Sequence, residues 1–296
     1  MTESRIEKNH EIIDQIEDEE RKKKNKKVFK ILLWIFLPLF IIFTICYTCL
    51  RYIGNIGIML REYPVYNSKI DEEFNSLKIV QFSDIHYSKY TNLSTIKDLV
   101  SLINKTNPDI VIFTGDLIDK DYNIKSEDKE EIMSEFKKIK STIEKYAIKG
   151  EEDNQDFKDI FDNSNFIILD NVVTKINIKG SSINLVAVDE NYTTENIVID
   201  NNNFSIGVIH KPDLADRVIE ELKTDIIIAG HSHNGQVILP FIGATMKKEG
   251  AKKYYNSYYE LGNTKLFISG GIGNSKYQFR LFNHPSINLY RLRTNK

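Results

Sequence analysis

The sequence predicts an α/β layered domain preceded by one N-terminal transmembrane helix. Three observations predict it. Ile31 to Leu50 runs twenty residues without a charge. From Glu62 on, short β-like apolar runs alternate with helical stretches, and the chain closes in strands, the pattern of an α/β layered domain. Five of those runs end in carboxylate or imidazole residues, which is how an α/β protein presents ligands to a cleft at strand ends.

The bulk composition sets limits. The chain has 296 residues, 41% hydrophobic and 28% charged, with a net charge of −2. No basic face alternates with aromatics, so nucleic acid is not an expected partner. The two cysteines, Cys46 and Cys49, both lie in the apolar run. Neither a disulfide framework nor a thiolate metal site is therefore available to the rest of the chain.

Residues 1–30 read as a polar and basic tail: an acid-rich solvated stretch, then a basic cluster from Arg21 to Lys27. At ~1.5 Å per residue the run at 31–50 spans about 30 Å, the hydrocarbon thickness of a bilayer. It is longer than a signal-peptide core, and Cys-Tyr-Thr-Cys offers no small-residue cleavage site, so it reads as an uncleaved anchor. Arg21, Lys22, Lys23, Lys24, Lys26, Lys27 and Lys30 precede it, whereas only Arg51 and Arg61 follow closely. The positive-inside rule places the N-terminus in the cytoplasm and the domain outside the cell membrane. Residues 51–61 read as a membrane-proximal linker, and 62–296 as one domain.

Within the domain, Leu77–Phe82 ends at Asp84 and His86, and Leu93–Thr106 has helical spacing. Ile110–Thr114 ends in Gly115-Asp116-Leu117-Ile118-Asp119. Ser126–Tyr146 reads as a long amphipathic helix with Ile132, Phe136, Ile139 and Ile143 on one face. Tyr146–Lys149 ends in Gly150-Glu151-Glu152-Asp153. Three strands follow, at Phe166–Leu169, Lys175–Ile178 and Ile183–Val188. Phe204–Ile209 ends at His210, Asp213–Leu222 is a helix, and Asp225–Ala229 ends in Gly230-His231-Ser232-His233. Leu266–Ser269 and Ile287–Leu292 are the last strands.

Singly, an Asp after a strand is a turn or cap residue and a lone His is a hydrogen-bonded core residue. Together they form a pattern. Four of the six histidines, with Asp84 and Asp116, sit at ends of apolar runs. Six oxygen and nitrogen ligands without thiolate suit two hard or borderline divalent ions. Such a pair serves in-line displacement at phosphorus.

Asp84-Ile85-His86, Gly115-Asp116-x-x-Asp119, His210 and Gly230-His231-Ser232-His233, in this order, resemble the calcineurin-like metallophosphoesterase family over about residues 62–296. Arg61-Glu62-Tyr63-Pro64, His210-Lys211-Pro212-Asp213, Asn234 to Pro240 and the tail from Gly270 to Pro285 resemble a membrane-anchored bacterial branch. The resemblance implies a four-layer αββα sandwich of two mixed β-sheets flanked by helices. It implies two divalent metal ions (Mn, Fe or Zn): Asp84, His86 and His233 on the first, Asp116 bridging, His210 and His231 on the second. Asp119 would orient a neighbouring ligand. A water bridging the metals, acidified to hydroxide, would attack phosphorus.

The family's third motif is Gly-Asn-His followed by an acid, and this chain reads Gly150-Glu151-Glu152-Asp153. Three readings follow. Glu151 ligates the second metal and a protonated Glu152 acts as catalytic acid; or catalysis is impaired and the chain is a metal-binding pseudo-enzyme or sensing module; or Asn154 enters the site through a shifted loop. Arg280 and Asn234 are the substrate-binding candidates. The expected substrate is a phosphoester or pyrophosphate at the outer membrane face, a lipid headgroup or lipid-linked precursor among the candidates. The sequence does not fix the oligomeric state.

Overall fold

The computed structural model describes residues 3–239, 241–245, 247–274 and 278–295. The chain divides into two compact units, Met1–Cys49 and Leu50–Lys296.

The first unit is one helix, α1 (Glu3–Arg51), which runs on into the start of the second. The polar tail is helical rather than merely solvated. Its composition explains this: Glu and Lys are good helix formers, and Asp18 pairs with Arg21 and Lys22 at helical spacing. The apolar part of α1 is long and hydrophobic enough to cross a membrane, and its large side chains from Val28 to Phe43 are exposed.

In the second unit β1 (Met59–Asn67) comes first, upstream of the boundary expected at 62. β2 (Lys78–Phe82), α2 (Leu93–Lys105), β3 (Ile110–Thr114), α3 (Ser126–Lys137), β4 (Glu144–Ile148), α4 (Gln155–Asp162) and β5 (Ile167–Ile168) follow. Then come β6 (Val172–Ile178), β7 (Ser181–Ala187), β8 (Ser205–Val208), α5 (Ala215–Leu222) and β9 (Ile226–Ala229). A hairpin of β10 (Ile238–Leu239) and β11 (Gly243–Ala244) leads to β12 (Tyr258–Leu261), β13 (Thr264–Ile268) and β14 (Ser286–Thr294).

Two six-stranded mixed sheets result. The first has the order β1-β14-β2-β3-β4-β5 and the second β12-β13-β9-β8-β7-β6. In the first, β2, β3, β4 and β5 run parallel and β14 is antiparallel to β2. In the second, β7, β8, β9 and β13 run parallel and the two edge strands are antiparallel. Ile79, Ile110 and Ile112 of the first sheet pack against Leu185, Ile206 and Ile228 of the second. The alternate residues Val80, Phe82, Val111 and Phe113 face α2, α3 and α4 through Ile96, Leu99, Phe136 and Phe161. On the far side, Ile227 and Leu266 face α5 through Val218 and Leu222. The order of layers is helix, sheet, sheet, helix. Central strands buried on both faces explain why their sequences are continuous apolar runs rather than alternations.

Three elements differ from the sequence reading. The helix expected over 126–146 stops at Lys137, and Ile139 is buried in the turn that starts β4. The eight-residue α4 was too short to show a helical period. Asn154 caps it, its side chain accepting from the Asp156 amide at 2.8 Å, so its side-chain oxygen is committed to the helix end. Finally, Tyr258–Leu261 forms an edge strand that the sequence reading does not include.

Candidate metal centre

The parallel strands deliver every expected ligand to one end of the sandwich. The loops after β2 and β3 are joined through their backbones: Asp84, Ile85 and Tyr87 amides donate to the carbonyls of Gly115, Asp116 and Leu117, each at 2.8 Å. Gly230 N donates to His210 O at 3.0 Å, joining the loops after β8 and β9. Across the sheets, the His231 amide donates to the Asp84 carboxylate at 2.9 Å.

These turns are tight. Asp84, His86, Asp116, His231 and His233 all have left-handed backbones, with φ from 44° to 65°. Each such non-glycine residue costs on the order of 1–3 kcal/mol, and such strain concentrates at functional sites. Gly115 relieves part of the crowding. A Cβ on it would lie 2.5 Å from His210 Nδ1 and 2.7 Å from Gly150 Cα.

Three groups of side chains have the spacing to hold an ion: Asp84, His86 and His233; Asp116, His210 and His231; and, overlapping both, His86, Asp116 and Glu152. The six residues of the first two are buried. In the first group, His86 Nε2 and His233 Nε2 stand 3.1 Å apart, and His233 Nε2 is 3.6 Å from Asp84 Oδ1. In the second, Asp116 Oδ2, His210 Nε2 and His231 Nδ1 are buried and without a hydrogen-bond partner. His210 Nε2 is 3.2 Å from Asp116 Oδ2 but is not aligned as a hydrogen bond. Buried polar atoms are nearly always satisfied. Three orphaned lone-pair donors converging on one point are what a divalent cation would satisfy, so these residues fit the metal that the chemistry requires. Asp116 links the groups, with Oδ2 also 3.8 Å from His86 Nε2.

The outer ring nitrogens are tied down. His210 Nδ1 faces Thr114 O at 2.8 Å, and His231 Nε2 faces Glu249 O at 2.6 Å. Both acceptors fix the tautomer that leaves the inner nitrogen free. His86 Nδ1 lies 3.0 Å from Glu152 Oε2 and is oriented the same way. His233 is the exception: its Nδ1 is 3.4 Å from Arg280 Nη2. A ligating Nε2 leaves a proton on Nδ1, so this contact is one of packing. Burial and the Lys248 charge hold the His233 pKa well below the usual value, which keeps its lone pair available. Burial also opposes a charge on His210, but the Asp116 carboxylate outweighs it and raises that pKa to about 10, so Nε2 carries a proton that a bound ion would displace to reach the lone pair.

The glutamates of the altered motif separate. Glu151 is half-exposed, with Oε1 3.4 Å from His231 Nδ1 and Oε2 2.9 Å from Lys211 Nζ. Glu152 turns toward the other group. Its amide donates to Asp116 Oδ1 at 3.0 Å, and its carboxylate accepts from His86 and, at 3.3 Å, from the Lys120 amide. Burial works to raise the Glu152 pKa, but the His86 contact prevails and lowers it. In this arrangement Glu152 accepts from His86 and positions it, where the sequence reading expects a protonated acid. Asp153, which completes the motif, accepts from the amides of Asp116, Leu117 and Gly150 at 2.8–2.9 Å. The sequence reading kept Asp153 only as the terminal acid of its motif, yet it locks the loop after β3 to the loop after β4.

Three further expected site residues lie elsewhere. Asp119 accepts from the Asp121 amide at 3.1 Å, a turn contact; among the described residues it contacts no ligand side chain. Arg280 has no exposed surface. Its guanidinium donates to the carbonyls of Gly270 (2.8 Å) and Gly273 (2.6 Å) and to Asn274 Oδ1 (3.0 Å). It cannot reach a substrate and instead holds the glycine-rich loop after β13 in shape. Asn234 is also buried; with its amide oriented to satisfy both ends, it accepts from Arg61 Nη1 at 2.8 Å and donates to Ile268 O at 3.1 Å. Both side chains are engaged in structural contacts, where the sequence reading expects substrate binding. Pro240, the last residue of the Asn234 motif, lies outside the described residues.

A cleft of about 1070 Å³ opens beside the second group, lined by His210, Lys211, Glu151, Lys158, Asp189 and Glu190 among others. A family model described as calcineurin-like phosphoesterase matches residues 77–235, just over half of the chain. The uncharacterized metallophosphoesterase YkuE of Bacillus subtilis is 27% identical over 256 residues, covering 82% of this chain and 88% of its own length. The phosphodiesterase YaeI of Escherichia coli is 23% identical over 73% of this chain and 82% of its own. The uncharacterized metallophosphoesterase Cj0846 of Campylobacter jejuni is 25% identical over 92% of this chain and 74% of its own. The matched span opens on the strand that carries Asp84 and closes just past His233, and over that span the chain belongs to the calcineurin-like phosphoesterase family.

Proposed function

We propose that the chain is a membrane-anchored hydrolase that cleaves a phosphoester over two divalent ions at the strand ends of its sandwich. The observation that carries this reading is the convergence of Asp116 Oδ2, His210 Nε2 and His231 Nδ1, buried and unpartnered, beside the Asp84–His86–His233 group. Asp84, His86 and His233 would hold one ion and His210 and His231 the other. Asp116 would serve both, and Glu151 would extend the second set from beside His231. When bound, the ions supply Lewis acidity and lower the pKa of coordinated water.

The chain's own groups do the rest. Glu152, Thr114 O and Glu249 O hold the imidazoles in the ligating tautomer. Asp153 keeps Asp116 in register with the loop that carries Glu151. The relative YaeI is named a phosphodiesterase, which supports a diester as the first substrate to test. The span at 31–50 supports a membrane-surface substrate, a lipid headgroup or lipid-linked phosphoester.

The second reading is a metal-binding protein with impaired catalysis. It is favoured by Glu152, which brings a carboxylate bonded to His86 to the motif's His position. The full-length chain in detergent, loaded with Mn²⁺ or Zn²⁺, should turn over a chromogenic phosphodiester and carry two ions per chain. Asp116→Asn should lose at least one ion and the turnover. Wild-type rates no higher than that variant's would leave the second reading standing.

A further inference from the structure

Downstream of β11, residues 247–254 fold back onto the metal-ligand cluster, and their backbone is pinned at several points. Glu249 O faces His231 Nε2 at 2.6 Å, and Gly250 O accepts from the Asp213 amide at 2.9 Å. The Asp213 carboxylate accepts in turn from the amides of Lys252, Lys253 and Tyr254 at 2.7–3.0 Å. Ala251 N donates to Lys248 O at 3.1 Å and closes a turn around Glu249 and Gly250. Gly250, at φ +80°, lies against the Lys211 stem, where a Cβ would come within 2.6 Å of Lys211 Cδ. The backbone of Lys248 is therefore held in place one residue before the carbonyl that orients His231.

Four lysines sit on this segment, and three are accounted for. Lys247 Nζ lies 4.0 Å from the centre of the Tyr255 ring, Lys252 pairs with Glu249, and Lys253 pairs with Asp216 at 2.6 Å. Lys248 is half-buried, and among the described residues its ammonium has no carboxylate partner. Its charge opposes protonation of His86, His231 and His233 alike. A half-buried cation beside a cation-binding cluster is repulsive by itself. It becomes favourable when an anion lies between them.

The altered motif says which charge is missing. Glu151 and Glu152 place two carboxylates where the family motif has Asn and His. Lys211 answers Glu151 directly, at 2.9 Å. Glu152 has no lysine ion pair among the described residues, and the positive end that a histidine would turn toward a phosphate is gone.

We propose that Lys248 is the phosphate-binding cation of this site, its ammonium contacting a non-bridging oxygen of the phosphoryl group in place of the donor lost at position 152. The proposal rests on the phosphoesterase reading, and equilibrium phosphate binding separates the two. The full-length chain in detergent, loaded with Mn²⁺, is titrated with inorganic phosphate by calorimetry, and its metal content is measured in parallel. Lys248→Met should weaken phosphate binding about 10- to 100-fold, the effect of losing one charge-assisted hydrogen bond, with metal content unchanged. Lys248→Arg should stay within about threefold of wild type, and Lys247→Met, one residue away, should bind as wild type does. Phosphate affinity unchanged in Lys248→Met, an equal loss in Lys247→Met, or no phosphate binding by the wild type would each overturn the proposal. A wild type that binds phosphate through Lys248 but turns over no ester would sink only the catalytic reading. Turnover with unaltered KM and phosphate affinity in Lys248→Met would sink only the role of Lys248.

Discussion

Glu152 stands where the family's motif has His. In this chain it spends its carboxylate on His86 Nδ1, 3.0 Å away, so it contributes to ligand orientation and not to a developing charge on the substrate. Loss of one transition-state donor typically costs about 10²–10³ in rate. In a Lys248→Met background, where no cation stands in for it, the double replacement Glu151→Asn with Glu152→His should therefore raise kcat on a phosphodiester by roughly 10²-fold, with two ions still bound. A steady-state comparison with Lys248→Met alone checks this, and an equal or lower kcat would show that the glutamates are adapted to the chemistry rather than deficient in it. At this scale the sequence revealed which residues converge better than it revealed their neighbours. Asp84, His86, Asp116, His210, His231 and His233 were legible because each ends a buried run, and strand ends of parallel sheets converge. The contacts of Arg280 and Asn234 were not legible, for the opposite reason. A polar residue near a glycine-rich loop reads as a ligand contact, but whether it faces the cleft or the loop's own carbonyls depends on turns that the sequence does not encode locally. The His86–Glu152 contact was hidden too, since it joins loops from two different strands.

The elements that hold the centre are stapled by a polar network under the ligand loops. Gln81 on β2 donates to Thr114 Oγ1 on β3 and, across the sandwich, to Ala229 O on β9, both at 2.9 Å. Its carbonyl accepts from Tyr290 Oη at 2.5 Å and Asn288 Nδ2 at 3.2 Å, both on β14. β14 thus does two jobs: it pairs β1 to β2 within the first sheet and braces the residue that links the two sheets. Tyr290→Phe removes one buried donor from a fully buried site and should cost about 1–2 kcal/mol, lowering Tm by several degrees in a unit of this size. The ligand loops lie beyond the network, so metal stoichiometry should hold. Thermal melts with metal analysis test this, and an unchanged Tm would show that Asn288 carries the staple alone. Strand existence was readable here because β2, β3, β8 and β9 are continuous apolar runs. β1 and β12 were not, since one-sided edge strands carry polar residues that break an apolar run.

At the scale of the whole molecule, the apolar part of α1 and the phosphoesterase unit make different demands on their surroundings. The helix exposes Trp34, Phe36, Phe40 and Phe43, each at least 60% accessible. That much aromatic and aliphatic surface is unfavourable in water and favourable in hydrocarbon, where twenty uncharged residues match the bilayer core. Seven basic residues between Arg21 and Lys30 resist translocation, so the compact unit should be the part that crosses. An alkaline carbonate wash should accordingly leave the full-length chain in the membrane pellet. For orientation, Cys46 and Cys49 are replaced by Ala and Asn201→Cys is introduced at an exposed position of the compact unit. A membrane-impermeant maleimide applied to intact cells should label this cysteine. Extraction by carbonate would remove the anchor, and labelling only after lysis would reverse the topology. The two results also bear on substrate. An anchored unit outside the cytoplasm meets lipid-linked phosphoesters at the bilayer surface, so hydrolysis of a micellar phosphoester should outpace that of a soluble one with the same leaving group, whereas equal rates would return the substrate to solution.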